Sequence, residues 1–184
     1  MTTHEEKTER LLKQLMTMEG KAEIVNGAIV RLPFDSHIIS FCRGVVQFSL
    51  HAHIETLARG QVGTSTLAFV VDLPHRKSFC ADVSFYDLPP AGMRFPRGAP
   101  VFAVEFRREN DYGRAAELAI SQKISDYFTA GTLVVWDVDL QSQNIIKSYR
   151  ASDPQNPAIY RRGDVAEAEP AVLDWNLNVD DLFA

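Results

Sequence analysis

Two acids stand inside apolar runs. Asp82 interrupts "FCADVSFYDL" (79–88), and Glu105 interrupts "VFAVEFRRE" (101–109). Burying an unpaired charge in a strand costs several kcal/mol. Each carboxylate therefore has a partner, holds a metal ion, or lies on an exposed part of its strand. Strand alternation sorts the faces. Cys80, Asp82 and Ser84 share one face of the first run; Val101, Ala103, Glu105 and Arg107 share one face of the second. If the runs pair across the Pro/Gly loop 89–100, the two acids converge. Close carboxylates repel unless one is protonated or a cation lies between them. A hard divalent cation such as Mg²⁺ suits that place, bound by carboxylates, a backbone carbonyl and water. An ion pair with Arg107 accounts for the same residues without a metal, and on the residues alone it is the preferred reading.

A third group comes from "DYGRAAELAISQKISDYFTAG" (111–131). Its spacing predicts a helix, with Asp111 as cap and Gly131 as stop. Lys123 and Tyr127 are four apart and share a face. Leu118, Ile120, Ile124, Tyr127 and Phe128 mark the buried side, with Lys123 near its edge. A strand-to-helix connection folds this helix back over the sheet and can carry the ammonium towards the acids.

The surrounding elements must position these groups. Thr3 to Met18 reads as a helix, with Leu11, Leu12 and Leu15 at helical spacing. "KAEIVNGAIVRL" (21–32) reads as a hairpin about Asn26-Gly27. Residues 34–60 read as a long helix capped by Asp35 or Ser36, lined by Ile38, Phe41, Cys42, Val45, Val46 and Phe48, and ended by Gly60. Strands are expected at 65–73, 79–88, 101–107, 132–140 and 144–151, a turn at 152–157, then one weak strand and a short helical turn in the tail. The element order predicts an α/β domain with a mixed central sheet flanked by helices.

Length and composition bound the function. The chain has 184 residues, 46% hydrophobic and 23% charged, which suits one soluble domain over 1–184, with residues 1–20 as a peripheral N-terminal helix. Net charge is 19 − 24 = −5, which argues against a protein that coats nucleic acid nonspecifically. Cys42 and Cys80 lie in apolar runs and read as reduced core thiols. With no apolar signal core and no run of transmembrane length, a cytoplasmic location and no membrane partner are expected. His51 and His53 are two apart on a helix and share no face, and His37 falls near a helix start. All three stay outside the site. Trp136 and Trp175 read as core.

Several stretches, in order, resemble the Uma-two family of endonucleases in the PD-(D/E)xK restriction-endonuclease-like superfamily. "AEIVNGAIVRL" is similar to the family's opening hairpin with its glutamate, here Glu23. "ADVSF" resembles "PDVAF", "AVEF" resembles "VVEV", and "QKISDYFTAGTLVVWDVD" resembles a helix lysine followed by "YxxAGV" and "VWxVD". "GDVAEAEPAVLDWNLNVDDLF" resembles the family's C-terminal close. The resemblance implies a restriction-endonuclease-like fold with an N-terminal helix and hairpin. It implies Asp82, Glu105 and the Phe106 carbonyl as ligands for Mg²⁺ or Mn²⁺, Lys123 as the superfamily's lysine moved to a helix, Tyr127 as the residue that positions Lys123, and Glu23 as an accessory acid. DNA is the implied substrate, and a homodimer is one implied arrangement. Arg76, Lys77, Arg94, Arg97, Arg107, Arg108 and Arg114 are the candidates for a basic rim on the DNA backbone. The chain departs from the pattern in carrying Ala81 before Asp82 and "RREND" after the strand. Arg107 also stands two residues after Glu105, where the wider superfamily places its lysine, so Arg107 competes with Lys123 for the role of charge stabiliser. The alternative function is a catalytically idle module of the same fold that binds nucleic acid or protein.

Overall fold

The computed structural model describes residues 3–57 and 59–184. Ala58, inside the expected second helix, and Met1 and Thr2, in the expected N-terminal segment, lie outside the described residues. Helix α1 (His4–Thr17) starts at Thr3, whose hydroxyl accepts from the Glu6 N–H while Glu6 bonds back to the Thr3 N–H, a capping box. Leu12 and Leu15 pack against Ala22, Ile24 and Ala68. Strands β1 (Ala22–Val25) and β2 (Ala28–Arg31) turn on Asn26 and Gly27 at φ 51° and 68°, as a type I′ hairpin requires. The outer edge of β1 is tied to segment 75–78. Asn26 N–H donates to the His75 carbonyl (2.6 Å), Ile24 N–H to Ser78 Oγ (2.8 Å), and Lys77 N–H to the Ile24 carbonyl (2.9 Å). These bonds fix the hairpin's acid and lysine relative to the sheet.

Helix α2 (His37–Leu57) buries Ile39, Cys42, Val46, Leu50 and Ile54. The expected lining is corrected here: Ile38, Phe41 and Phe48 face outward, Phe48 at 78% exposure. Apolar residues occur on several sides of this helix, so periodicity alone does not select the buried one. The Ser36 carbonyl accepts the Ser40 N–H (2.9 Å), which puts the cap at Ser36; the Asp35 carboxylate pairs instead with Arg43 and Arg108.

The remaining elements are β3 (Gln61–Thr64), β4 (Phe69–Val70), β5 (Ser78–Phe79), β6 (Val83–Tyr86), β7 (Phe102–Phe106), α3 (Arg114–Thr129), β8 (Val134–Val138), β9 (Ile146–Arg150), β10 (Asp153–Tyr160), β11 (Val165–Glu167), β12 (Asn176–Asn178) and a 3-10 helix (Val179–Phe183). Among the described residues the largest sheet has six strands in the order β10-β9-β8-β7-β6-β3. Only β7 and β8 run parallel in it, and α3 makes the crossover that a parallel pair needs. One face of this mixed sheet packs against α2 and the C-terminal segment around Trp136 and Trp175, which stack at 5.2 Å. The other face packs Ala103 and Val135 against α3 and Phe79.

Three sequence expectations change. The run 65–73 forms only the two-residue β4, because Ala68, Phe69 and Val71 are buried under α1, the hairpin and α3 rather than in the main sheet. The true sheet edge is β3, a polar strand with Gly63 inside it, and glycine weakens the strand signal. From Asp153 onward the expected turn 152–157 is part of β10, an edge strand whose register with β9 shifts between Asp153 and Ala158. An edge tolerates Pro154 and Pro157, because no outer neighbour needs their missing N–H groups.

Candidate active site

β6 and β7 pair antiparallel with Val83 opposite Val104. One step further, Asp82 lies beside Glu105. Asp82 N–H donates to the Val104 carbonyl (3.0 Å), and Phe106 N–H donates to Asp82 Oδ2 (2.8 Å). Where β6 and β7 pair beside the two acids, this face carries the small residues Ser84 and Ala103. The β7–α3–β8 crossover then brings Lys123 Nζ to 2.9 Å from Glu105 Oε1 and 2.9 Å from Glu23 Oε1. The Tyr127 hydroxyl donates to Glu105 Oε1 (2.6 Å), with its ring stacked on Phe79 at 4.0 Å. Tyr127 thus contacts both site groups: its hydroxyl holds Glu105, and Lys123 Nζ lies over its ring, 5.9 Å from the centre.

Glu23 is buried and fully engaged. It accepts from Cys80 N–H (2.9 Å) and Arg76 (2.6 Å) in addition to Lys123. Arg76 continues to Asp126 (2.7 Å), which also meets His75 and Gln122 at 2.8 Å. A second group closes over Asp82. Lys21 pairs with Asp82 Oδ1. Arg108 donates to the same oxygen (2.9 Å), to Asp35 Oδ1 (2.7 Å) and to the Phe106 carbonyl (3.2 Å). Sequence reasoning missed Lys21 and placed Arg108 on an outer rim. Alternation was the available signal for Lys21, which stands two residues before Glu23 at the start of the hairpin.

Charge pairing decides how the acids titrate. Burial alone raises Glu23, but Lys123 and Arg76 outweigh it and hold the carboxyl below its ordinary value. Burial likewise raises Asp82, and Lys21, Arg108 and the Phe106 N–H bring it below the ordinary range. Glu105 ends above the ordinary range: burial raises it, and the neighbouring Asp82 offsets part of what Lys123 gives back. Burial and the adjacent Glu105 push the Tyr127 phenol well above its usual value. The two strand acids therefore differ in proton affinity, a pattern found at functional sites.

A cavity of about 310 Å³ opens beside these groups, bounded by Glu105, Lys123, Tyr127, Arg108 and the hairpin residues Val25 and Val30. Asp82 is wholly buried beneath Lys21 and Arg108, so of the Asp82/Glu105 pair Glu105 lines the cavity. Arg107 borders the same space, but its guanidinium is spent on Asp137 (2.7 Å through both Nε and NH2) and Glu117. It is the counter-ion of those acids, not of Glu105. The expected basic rim is corrected in the same way. Arg76, Arg107 and Arg108 are internal counter-ions, and Lys77 pairs with Asp72 at 2.5 Å. Arg94, Arg97 and Arg114 are exposed, with Arg97 paired to Glu9 of α1 at 3.3 Å. Asp111 does not cap α3; its carboxylate accepts the Arg108 N–H (2.8 Å) and closes the preceding loop, while Gly113 takes the cap position at φ 90°.

This arrangement, a mixed sheet with two acids on neighbouring strands and a lysine carried in by the crossover helix, defines an α/β protein of nuclease-like fold. A crystal structure from Anabaena variabilis ATCC 29413, described as "a putative nuclease belonging to DUF820", matches it with a TM-score of 0.72, covering 94% of this chain and 96% of that one at 15% identity. The chain belongs to the Uma2 family, "Putative restriction endonuclease", whose model matches residues 6–180. No curated protein matches the sequence. Among the described residues, no helix is long and apolar enough to cross a membrane.

Proposed function

We propose that the chain is a metal-dependent endonuclease that hydrolyses DNA phosphodiester bonds. The observation that carries this reading is the contact of Lys123 Nζ with Glu105 Oε1 at 2.9 Å, at the wall of a cavity and beside Asp82. The donor set has the right chemistry for Mg²⁺ or Mn²⁺: the Asp82 and Glu105 carboxylates and the Phe106 carbonyl are hard oxygen ligands on adjacent backbone positions. Among the described residues no three His, Cys, Asp or Glu side chains form a metal cage; the proposed set takes the Phe106 carbonyl as its third protein oxygen. Bound there, the ion would supply Lewis-acid stabilisation of phosphoryl charge and a more acidic water.

The chain's own residues do the positioning. Glu23 holds Lys123, Lys123 and Tyr127 together hold Glu105, and Asp82 is anchored to the Phe106 N–H. Lys123 places a fixed positive charge next to the reacting phosphate, where charge develops in the transition state. The exposed Arg94, Arg97 and Arg114 are the candidates for DNA-backbone contacts, and such binding weakens with salt. The test incubates purified protein with supercoiled, linear and single-stranded DNA, with and without Mn²⁺ or Mg²⁺. Wild type cleaves at least one form only with metal, Glu105→Ala abolishes cleavage, and Lys123→Ala slows it by about 10² to 10³. Cleavage that survives Glu105→Ala would sink the assignment. A second reading, an idle module that binds nucleic acid or protein, is favoured by one observation: every oxygen of Asp82 already has a protein donor. DNA binding without cleavage under any metal selects that reading.

A further inference from the structure

We propose that Arg108 is a tethered cation that keeps the divalent ion's place, so that metal loading and displacement of the Arg108 guanidinium are one event. This rests on the metal-dependent reading above and adds a residue that controls it. The guanidinium joins two of the three oxygen groups assigned to the metal, Asp82 Oδ1 at 2.9 Å and the Phe106 carbonyl at 3.2 Å. No other described side chain bridges that pair. Lys21 also contacts Asp82 Oδ1, but not the carbonyl. A divalent ion on both oxygens meets Arg108 head-on, and like charges at that separation repel strongly.

Arg108 is poorly satisfied where it is and has somewhere to go. Its Nε is buried without a hydrogen-bond partner, and an orphaned donor is costly enough to need a reason. Its NH2 already shares Asp35 Oδ1 at 2.7 Å, and Asp35 itself is held by Arg43. Letting go of Asp82 thus leaves Arg108 with a carboxylate partner. The backbone does not need to move: Arg108 N–H is anchored to Asp111 Oδ2 (2.8 Å) and its carbonyl accepts the Asp111 N–H (2.9 Å). Swung towards Asp35, the guanidinium becomes available to a phosphate, for which its fork geometry is suited.

The experiment measures Mn²⁺ binding to the full chain by calorimetry at fixed ionic strength, with folding checked by near-UV circular dichroism. Because only the fraction with Arg108 displaced accepts metal, the wild-type affinity is reduced by that fraction. Arg108→Ala is expected to bind Mn²⁺ about tenfold more tightly or better. Arg43→Gln removes a charge from the same cluster without touching Asp82 or the Phe106 carbonyl, and should leave affinity nearly unchanged. If Arg108→Ala does not fold, Arg108→Gln serves: a neutral amide removes the competing positive charge while keeping a polar side chain, so affinity should still rise. Equal binding by wild type and the Arg108 variant, weaker binding by the variant, or an equal gain in Arg43→Gln overturns the proposal while the metal reading stands. Absence of Mn²⁺ binding in folded wild type and variant overturns both. Binding by the variant alone supports the proposal in its strongest form.

Discussion

Lys123→Met isolates what the helix lysine does for the folded state. Lys123 Nζ lies 2.9 Å from each of two carboxylates, with its side chain only 18% exposed. Methionine keeps the apolar stem and removes the charge. Breaking a buried pair by deleting one partner costs about 3–5 kcal/mol. Here the two acids are not equally exposed to the loss. Glu23 retains Arg76 and the Cys80 N–H, whereas Glu105 retains the Tyr127 hydroxyl and the more distant charge of Lys21. Glu105, already raised above the ordinary range chiefly by burial, recovers part of the penalty by binding a proton. The expected loss therefore lies near the lower end, about 3 kcal/mol, a large share of a stability of about 5–15 kcal/mol. The assay is urea unfolding at pH 7 without divalent ions, read as a shift in midpoint at constant slope. Lys123→Met/Glu105→Gln should regain stability relative to the single variant, because the second change removes the uncompensated acid. A single-variant loss below about 1 kcal/mol, typical of an exposed pair, or strictly additive effects in the double variant, would refute the buried ion-pair network.

Two further outcomes follow from the same networks. Arg107→Met should destabilise by about 3–5 kcal/mol, because it strands the buried Asp137 that Arg107 grips at 2.7 Å through two nitrogens; cleavage per folded molecule should fall far less than in Lys123→Ala, and the reverse ranking would make Arg107 the charge stabiliser. Asp126→Asn should be destabilising at neutral pH. Burial raises the Asp126 carboxyl, but Arg76, Gln122 and His75 outweigh it and hold it below its ordinary value, so its contribution is present above the unfolded-state pKa and is lost as pH falls through the folded-state pKa. The gap in Tm between wild type and Asp126→Asn should therefore be widest near pH 7 and close in acid. A gap that is constant with pH would show that the ionised Asp126 is not the source.

Local chemistry made part of this protein legible from residue order. Asn26-Gly27 dictates a tight hairpin because both positions take positive φ, and Thr3 with Glu6 caps α1 through neighbours three residues apart. Strand alternation assigns Asp82 and Glu105 to faces that meet if β6 and β7 are neighbours, and i,i+4 spacing joins Lys123 to Tyr127. These are interactions of short range or fixed period, so sequence encodes them directly. What lies on the other side of each charge is not periodic. That Glu23 is buried, that Lys21 and Arg108 converge on Asp82 across 61 and 26 residues, and that Arg107 turns to Asp137 across 30 depend on where the docked hairpin and the crossover helix finally rest. The same holds for α2, whose sequence is apolar on several sides, and for β10, whose prolines read as a turn until an edge position makes them harmless. Sequence supplied the charges and their faces; packing chose their partners, because a buried ion is stabilised only by whatever the fold brings within about 3 Å of it.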